Sequence, residues 1–314
     1  MKTVTFTPNP AIDVYAKTKS IKAGTISRLE EEKHYPGGKG VNVSRALIYA
    51  GMRTTALVTE GGLRGRELLK LLEQHRIPFS SYELSGETRE NRIFEDSEGI
   101  RYKFNSKGPS FPEAEEETIL SWALQHCSKG DIFHTGGSLP EGMGKSFYEL
   151  IDEEAAKRGA LLALDPSPAD IKKALNTRFR FLKANLSEIS PALSSIPESI
   201  NDVIEAFGFN HEGREIIISG GYEGALLFCG NKIYRNRQII KKEGLCCCCG
   251  DTMFAYYISE RMKGTSPQEA FRKSGAAGLA CACNSMYALA SPADVNKMLK
   301  YIVTEKAIHG RQDI

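Results

Sequence analysis

The chain has 314 residues, with 41 Lys+Arg against 39 Asp+Glu, a formal net charge of +2 and 41% hydrophobic residues. That balance leaves no basic surplus to hold nucleic acid or an anionic membrane, and no apolar run approaches the ~20 residues that span a bilayer. The composition is that of a globular protein, which excludes collagen, coiled-coil and disordered classes.

In chain order, Val4-Thr5-Phe6-Thr7 reads as a first strand, closed by the turn-forming Pro8-Asn9-Pro10. The start of the chain has no apolar h-region, so no secretory signal is expected. Residues Tyr15 to Tyr35 are charged, contain Gly24 and show no helical period. Then Pro36-Gly37-Gly38-Lys39-Gly40 leads into a helix with Val43, Ala46, Leu47 and Ala50 on one face. Glycines let backbone amides approach a ligand, and a helix N-terminus favours an anion, to which Lys39 adds a full charge. This is no Walker A loop, which would need glycine at position 33, where Lys33 stands.

Thr54 to Val58 reads as a strand and Arg66 to His75 as an amphipathic helix. Thr88-Arg89-Glu90-Asn91 opens a hairpin that turns at Asp96-Ser97-Glu98-Gly99 and returns through Ile100 to Asn105. In the return arm Ile100, Tyr102 and Phe104 alternate with Arg101 and Lys103, giving one apolar and one cationic face. With residues 15–35 this forms a small sheet standing off the body, whose apolar face calls for a ligand cleft or a second subunit.

Glu113 to His126 is helical, and strands follow at Ile132–His134, Leu161–Leu164, Phe179–Leu182, Ile216–Ile218 and Ala225–Phe228. Strands alternating with helices imply an α/β fold, a largely parallel sheet covered on both faces. Two of these strands end in polar runs, Gly137-Ser138-Leu139-Pro140 and Lys183-Ala184-Asn185-Leu186-Ser187-Glu188, at the edge where open α/β sheets bind ligands. Asn185 and Glu188 suit Mg²⁺ held through water; they equally suit a helix N-cap. Ser219-Gly220-Gly221-Tyr222-Glu223-Gly224 is a glycine-rich turn between two apolar runs, a weak signal for a nucleotide loop.

Cys248-Cys249-Gly250-Asp251-Thr252 opens a helix running to about Met262 and stopped by Gly264. A carboxylate there gains from the helix dipole, and the neighbouring amides would stabilise charge on a transferring phosphoryl group. Beside them Asp251 could deprotonate a hydroxyl, although such an aspartate is more often only a cap. Four of the eight cysteines are consecutive, Cys246 to Cys249, which suits neither a disulfide framework nor one tetrahedral zinc ion, and points to a reducing, cytosolic setting. A dinucleotide Gly-x-Gly-x-x-Gly, a His-x-x-x-His pair and a Gly-x-Ser-x-Gly elbow are all missing from the sequence, which removes nicotinamide, metalloprotease and serine-hydrolase readings.

Taken in order, Asn9-Pro10-Ala11-Ile12-Asp13, Gly37 to Arg45, Thr88 to Asn91, Gly137 to Pro140, Lys183 to Glu188, Ser219 to Gly224 and Gly250-Asp251 resemble the ribokinase-like sugar kinases, in the phosphofructokinase-B branch. The resemblance implies one domain over 1–314, a three-layer α/β sandwich with a mostly parallel central sheet and a small β-lid formed by about 13–36 and 88–106. It implies a homodimer through that lid, ATP and Mg²⁺ as cofactors, and a small sugar phosphate as partner, with no nucleic acid and no membrane. By the same resemblance Asp13 holds sugar hydroxyls, with Gly37, Gly38, Asn42 and Ser138 lining the pocket. Lys39 and Arg89, with Arg28 from the lid, take the phosphate already on the acceptor. Asp251 is the base and the amides of Cys248, Cys249 and Gly250 form the anion hole. Ser219, Gly221, Tyr222, Glu223 and Gly224 bind ATP together with Lys183, Asn185 and Gly250, and Glu188 contacts the metal through water.

The implied reaction is in-line transfer from ATP to a ketohexose phosphate, fructose 1-phosphate first, with tagatose 6-phosphate and fructose 6-phosphate as alternatives. A weakly catalytic sugar-phosphate sensor is the rival from another class. The family's Gly-Ala-Gly-Asp is here Cys248-Cys249-Gly250-Asp251. Cysteine at 248 is expected to be costly if that position needs positive φ.

Overall fold

The computed structural model describes every residue except 145, 194–195, 208–210, 241–246, 285 and 308–314; Cys246 of the cysteine run therefore lies outside the described residues. In chain order the strands are β1 (Thr3–Thr7), β2 (Ala11–Thr18), β3 (Leu29–Gly37), β4 (Thr54–Glu60), β5 (Phe79–Glu83), β6 (Arg89–Glu95) and β7 (Arg101–Asn105). They continue as β8 (Ile132–Gly137), β9 (Leu161–Pro166), β10 (Phe181–Asn185), β11 (His211–Ser219), β12 (Ala225–Gly230), β13 (Lys232–Gln238) and β14 (Ile302–Lys306). The helices are α1 (Lys39–Tyr49), α2 (Gly62–Gln74), α3 (Glu116–Leu124), α4 (Phe147–Arg158) and α5 (Ile171–Leu175), then α6 (Leu186–Ile189), α7 (Ile200–Phe207), α8 (Cys249–Met262), α9 (Pro267–Cys283) and α10 (Pro292–Met298).

Among the described residues these strands make two sheets. The larger has ten strands in the order β14-β13-β12-β11-β10-β9-β8-β1-β4-β5, parallel from β11 to β5 and antiparallel from β11 out to β14. Its central strands are buried along nearly their whole length because both faces are covered. Successive residues go to opposite layers. Phe133, Leu162, Leu164, Ile216 and Ile218 pack against α3 and α4, whereas Ile132, Ala163, Ile217 and Leu227 pack against α8 and α9. Helices α1 and α2 cover the β4 end through Val41, Leu68 and Leu72 against Ala56 and Val58. The result is the mostly parallel sheet covered by helices on both faces that the alternation leads one to expect.

The tenth strand is displaced from its expected place: the ladder begins at Phe181, not Phe179. Phe179 is buried before the strand starts, under the Arg214 guanidinium 4.9 Å from its ring centre. Its apolar character serves that packing, which a run of hydrophobic letters cannot distinguish from a strand.

The smaller sheet has the order β3-β2-β6-β7, built from residues 11–37 and 89–105. Asp96 makes the β6–β7 turn by accepting the amides of Glu98 and Ile100 at 3.0 and 2.9 Å, while Gly99 takes φ +80°. The cationic face of the hairpin turns inward, with Lys103 lining a large pocket, and its apolar edge leaves Ile100 and Phe104 exposed. This sheet stands over the C-terminal ends of the parallel strands, where the polar runs of the sequence converge.

Candidate active site

Two cavities adjoin, the larger of them under the small sheet. One, of about 720 Å³, is lined by residues from β2, β6, β7, α1 and the ends of β8, β10 and β11. The other, of about 350 Å³, lies between β12–β14 and α8–α9. Ser219, Gly221 and Gly250 border both.

Asp251 sits in the first turn of α8 at their junction and is 7% exposed. Asn42 of α1 donates its side-chain N–H to the Asp251 carboxylate at 2.9 Å. Burial and the negative charge of Asp165 push the Asp251 pKa up to about 6, against Lys183, Lys39 and the Asn42 bond. It is thus ionised at neutral pH yet basic enough to take a proton. The first bond of the helical ladder runs from the Thr252 amide to the Cys248 carbonyl at 2.8 Å. The amides before it lie outside that ladder and form the helix's positive end.

Cys248 has φ −106°, so no left-handed backbone is required there and the expected cost of cysteine does not arise. The side chain is wholly buried among Tyr15, Leu47 and Ala277. Gly250 does have a packing reason, since a Cβ would lie 3.0 Å from the Lys183 ammonium.

Four charges face this helix end. Lys39 donates to Asp165 at 2.6 Å and to Glu188 at 2.7 Å, and Lys183 lies 3.3 and 3.6 Å from the same two carboxylates. Although burial opposes its charge, the Lys39 pKa is held above the ordinary value by Asp165 and Glu188. Asp165 is likewise kept ionised despite complete burial, by Lys183 and Lys39. The structure therefore pairs Lys39 with the acids at the end of β9 and in α6, while Lys39 and Arg89 line the same pocket. Asn185 serves as the N-cap of α6: its side chain accepts the Glu188 amide at 2.8 Å and its own amide donates to the Glu188 carboxylate at 2.7 Å. That capping box fixes Glu188 toward the lysines.

The donor set can be tested against Mg²⁺. No group of three or more metal-ligating side chains occurs among the described residues. Two carboxylates, Asp165 and Glu188, are the complement that Mg²⁺ takes when phosphate and water complete its shell. The residues fit a cation carried chiefly by the phosphates of a bound nucleotide, with Glu188 as the protein's contact through water.

At the lid side of the larger pocket Asp13 accepts from Asn91 at 2.8 Å. Its pKa is raised by burial, against the Asn91 bond and the nearby Arg89 and Arg45. Gly37 passes so close that a Cβ would sit 2.3 Å from the Asp13 carboxylate. Thr7, Asn9, Arg89 and Asn91 each carry a buried polar atom with no hydrogen-bond partner among the described residues, and all four line this pocket. Such orphaned atoms are rare in a finished interior and mark a place where a polar ligand belongs. Gly38, at φ +108°, and Ser138, whose hydroxyl accepts from Asn9 at 3.4 Å, complete this wall.

The smaller cavity is lined by Tyr222, Gly224, Cys249, Gly275, Gly278 and Ala282 among others. Glu223 is absent from its lining and accepts the Ile200 amide at 2.9 Å instead. Arg28 is exposed, with its carbonyl bonded to Thr18, and does not line the larger pocket. Sequence reasoning missed Asp165, Lys103, Tyr287, Asn236 and the small residues of α9. Asp165 had a usable signal, an acid at the C-terminal end of an apolar strand. The α9 residues had none, because only the packing of α9 against β13 and β14 brings them to a cavity.

A model of the pfkB family carbohydrate kinases matches residues 8–293. A D-tagatose-1-phosphate kinase of Bacillus licheniformis is 29% identical over 277 residues, covering 87% of this chain and 90% of that protein. A 1-phosphofructokinase of Bacillus subtilis is 27% identical over 285 residues, covering 88% and 91%. Among solved structures, Arabidopsis thaliana ribokinase superposes with a TM-score of 0.73 at 17% identity, over 96% of this chain and 99% of that one, a likeness of fold.

Proposed function

The chain belongs to the pfkB family of carbohydrate kinases, and from that premise we propose that it transfers the γ-phosphoryl group of ATP to a ketohexose phosphate, with fructose 1-phosphate as acceptor and fructose 1,6-bisphosphate as product. The observation that carries this reading is the position of Asp251, buried and bonded to Asn42 where a polar pocket meets a less polar one at a helix N-terminus.

The acceptor occupies the larger pocket, its hydroxyls on Asp13 and its phosphate toward Arg89, Lys103 and Ser138. ATP occupies the smaller one, its base against Gly278 and Leu279 and its phosphates directed at the Gly250 amide. As the attacking oxygen bonds to the γ-phosphorus and the bond to ADP breaks, Asp251 takes the hydroxyl proton. The amides at the start of α8, with Lys39 and Lys183, meet the charge on the three equatorial oxygens. Mg²⁺, when bound, supplies further neutralisation of the phosphates. The lid excludes water that would compete as acceptor. Ile100 and Phe104 on the outer edge of the lid suit a homodimer formed there, and the reading places the enzyme in the cytoplasm, where ATP and sugar phosphates meet.

The deciding experiment is a coupled ADP-release assay with Mg-ATP and fructose 1-phosphate, tagatose 1-phosphate, tagatose 6-phosphate or fructose 6-phosphate. Highest kcat/KM on fructose 1-phosphate is the expected result. A higher value on a tagatose phosphate keeps the chemistry and moves the acceptor. Binding without turnover on all four would replace the kinase with a sensor.

Two further outcomes are expected. Because ionised Asp251 is the working form and its pKa is near 6, kcat/KM for the acceptor should fall about tenfold per pH unit below pH 6. A profile flat from pH 5 to 8 would remove Asp251 from the role of base. Ala282→Phe places a ring in the smaller cavity and should raise the ATP KM at least about tenfold with the acceptor KM unchanged. An unchanged ATP KM would show that ATP binds elsewhere.

A further inference from the structure

Tyr287 belongs to none of the motifs that identify the site. It is one of two non-glycine residues with positive φ among those described, at +61°, and it is 3% exposed. A bulky side chain persists in that conformation only where its surroundings over-determine it. Here they do. Arg45 donates to the Tyr287 carbonyl at 3.0 Å, and the ring stacks on Tyr35 of β3 with centres 4.4 Å apart and planes at 16°. The Tyr287 side chain lines the larger pocket together with Asp13, close enough that the Asp13 charge acts on its hydroxyl. Tyr35 is in turn the register partner of Asp13 across β2 and β3. One residue of the loop after α9 therefore grips the lid at β3 and faces Asp13 of the adjacent strand across the larger pocket.

The Asp13 carboxylate is confined on its remaining sides as well. Asn91 donates to one oxygen at 2.8 Å, and Gly37 leaves no space beyond its own hydrogen. A carboxylate held by Asn91 and walled in by Gly37 and Tyr287 keeps its free lone pairs in set directions, and only hydroxyls of matching configuration can meet them.

We propose that Tyr287 is a positioning residue that sets acceptor selectivity, by aiming the Asp13 carboxylate at the acceptor's hydroxyls and by clamping, through Tyr35, the lid strand beside it. The proposal rests on reading the larger pocket as a ketohexose phosphate site. Tyr287→Phe removes one oxygen and keeps the ring, so the fold is retained.

The test is steady-state kinetics of Tyr287→Phe, Tyr35→Leu and Tyr35→Phe on fructose 1-phosphate and tagatose 1-phosphate, which differ in configuration at C4. Tyr287→Phe is expected to raise the acceptor KM about tenfold, to leave kcat within about threefold and the ATP KM unmoved, and to bring the kcat/KM ratio of the two epimers at least fivefold closer to one. Tyr35→Leu should move the same quantities in the same direction, and Tyr35→Phe should restore them. Acceptor KM and epimer ratio both within twofold of wild type in Tyr287→Phe would overturn the proposal and leave Tyr287 a packing residue. If wild type turns over neither epimer but accepts another sugar, the ketohexose phosphate reading falls, and the KM comparison on that sugar still decides the role of Tyr287. A wild type silent on every acceptor overturns both.

Discussion

Asp251→Asn should lower kcat about 10³-fold while leaving both KM values within a few fold, and should make the protein more heat-stable at neutral pH. The rate loss follows from removing the carboxylate that, on the proposed reading, accepts the hydroxyl proton from the first turn of α8, a contribution worth roughly 10²–10⁴ in comparable cases. Binding should survive because the proposed reading gives the acceptor to Asp13 and the lid, and asparagine can still accept from Asn42. The gain in stability follows from the sign of the pKa shift. A carboxylate raised from 3.8 to about 6 in the folded protein is penalised for being ionised, fully above pH 6 and not at all below its unfolded value. Removing the charge relieves on the order of 3 kcal/mol at pH 7.5, an increase of roughly 4–5 °C in Tm for a chain of this size. The difference in Tm between variant and wild type should vanish near pH 4. A kcat within tenfold of wild type would mean that another group takes the proton; a lower Tm at pH 7.5 would mean that Asp251 is not under electrostatic penalty.

Lys39→Met should have the next largest effect, and its kinetic form separates two roles for this lysine. The resemblance gives Lys39 to the acceptor's own phosphate, whereas the structure seats its ammonium between Asp165 and Glu188, beside Lys183 and opposite Asp251. If it works where it sits, losing it removes one positive charge from the transferring phosphoryl group, and kcat drops about 10²–10³-fold. It also leaves two carboxylates with a single lysine. Since Lys39 helps to hold the Asp251 pKa down, the acid limb of the pH profile should move to higher pH. Removing one partner from a buried ion pair costs about 3–5 kcal/mol. Partial exposure of Lys39 and the presence of Lys183 reduce that here to about 2 kcal/mol, and Tm should fall by about 3 °C. A raised acceptor KM with kcat and acid limb unmoved would return Lys39 to the acceptor's phosphate.

What could be read from the sequence, and what could not, divides along physical lines. Leu161 to Leu164 and Ile216 to Ile218 declare themselves as buried parallel strands because both faces need apolar cover. Gly37, Gly38 and Asp251 announce a loop and a helix start, since glycine freedom and a first-turn carboxylate are local properties. The hairpin of residues 91–105 was legible in its alternation, and Lys103 reached the pocket because its face is the polar one. Tyr287 left no local trace. Its importance comes from Tyr35, Arg45 and Asp13, which are more than 240 residues away in sequence and are joined to it only by the closed topology. Asn185 shows the opposite limit: the helix-cap and metal-site readings both used the same side chain, and geometry assigns its oxygen to capping. At Cys248 a rule about glycine raised a concern that the backbone angle removes.

The two cavities draw on almost separate stretches of chain. The smaller is built wholly from residues 219–302, through the antiparallel end of the large sheet and α8–α9. The larger draws on residues 7–251 with Tyr287 as its lone late contributor. On the proposed reading, substitutions in the first hundred residues can thus remodel the sugar cradle while the donor half stays as it is, provided that Asn42 and Arg45 keep their bonds to Asp251 and Tyr287. Such a division lets a lineage change its sugar by drift in one segment without having to rediscover how to hold the phosphate donor. It also makes Tyr287, which comes after every other residue of the larger cavity, the late segment's separate reach into the early one.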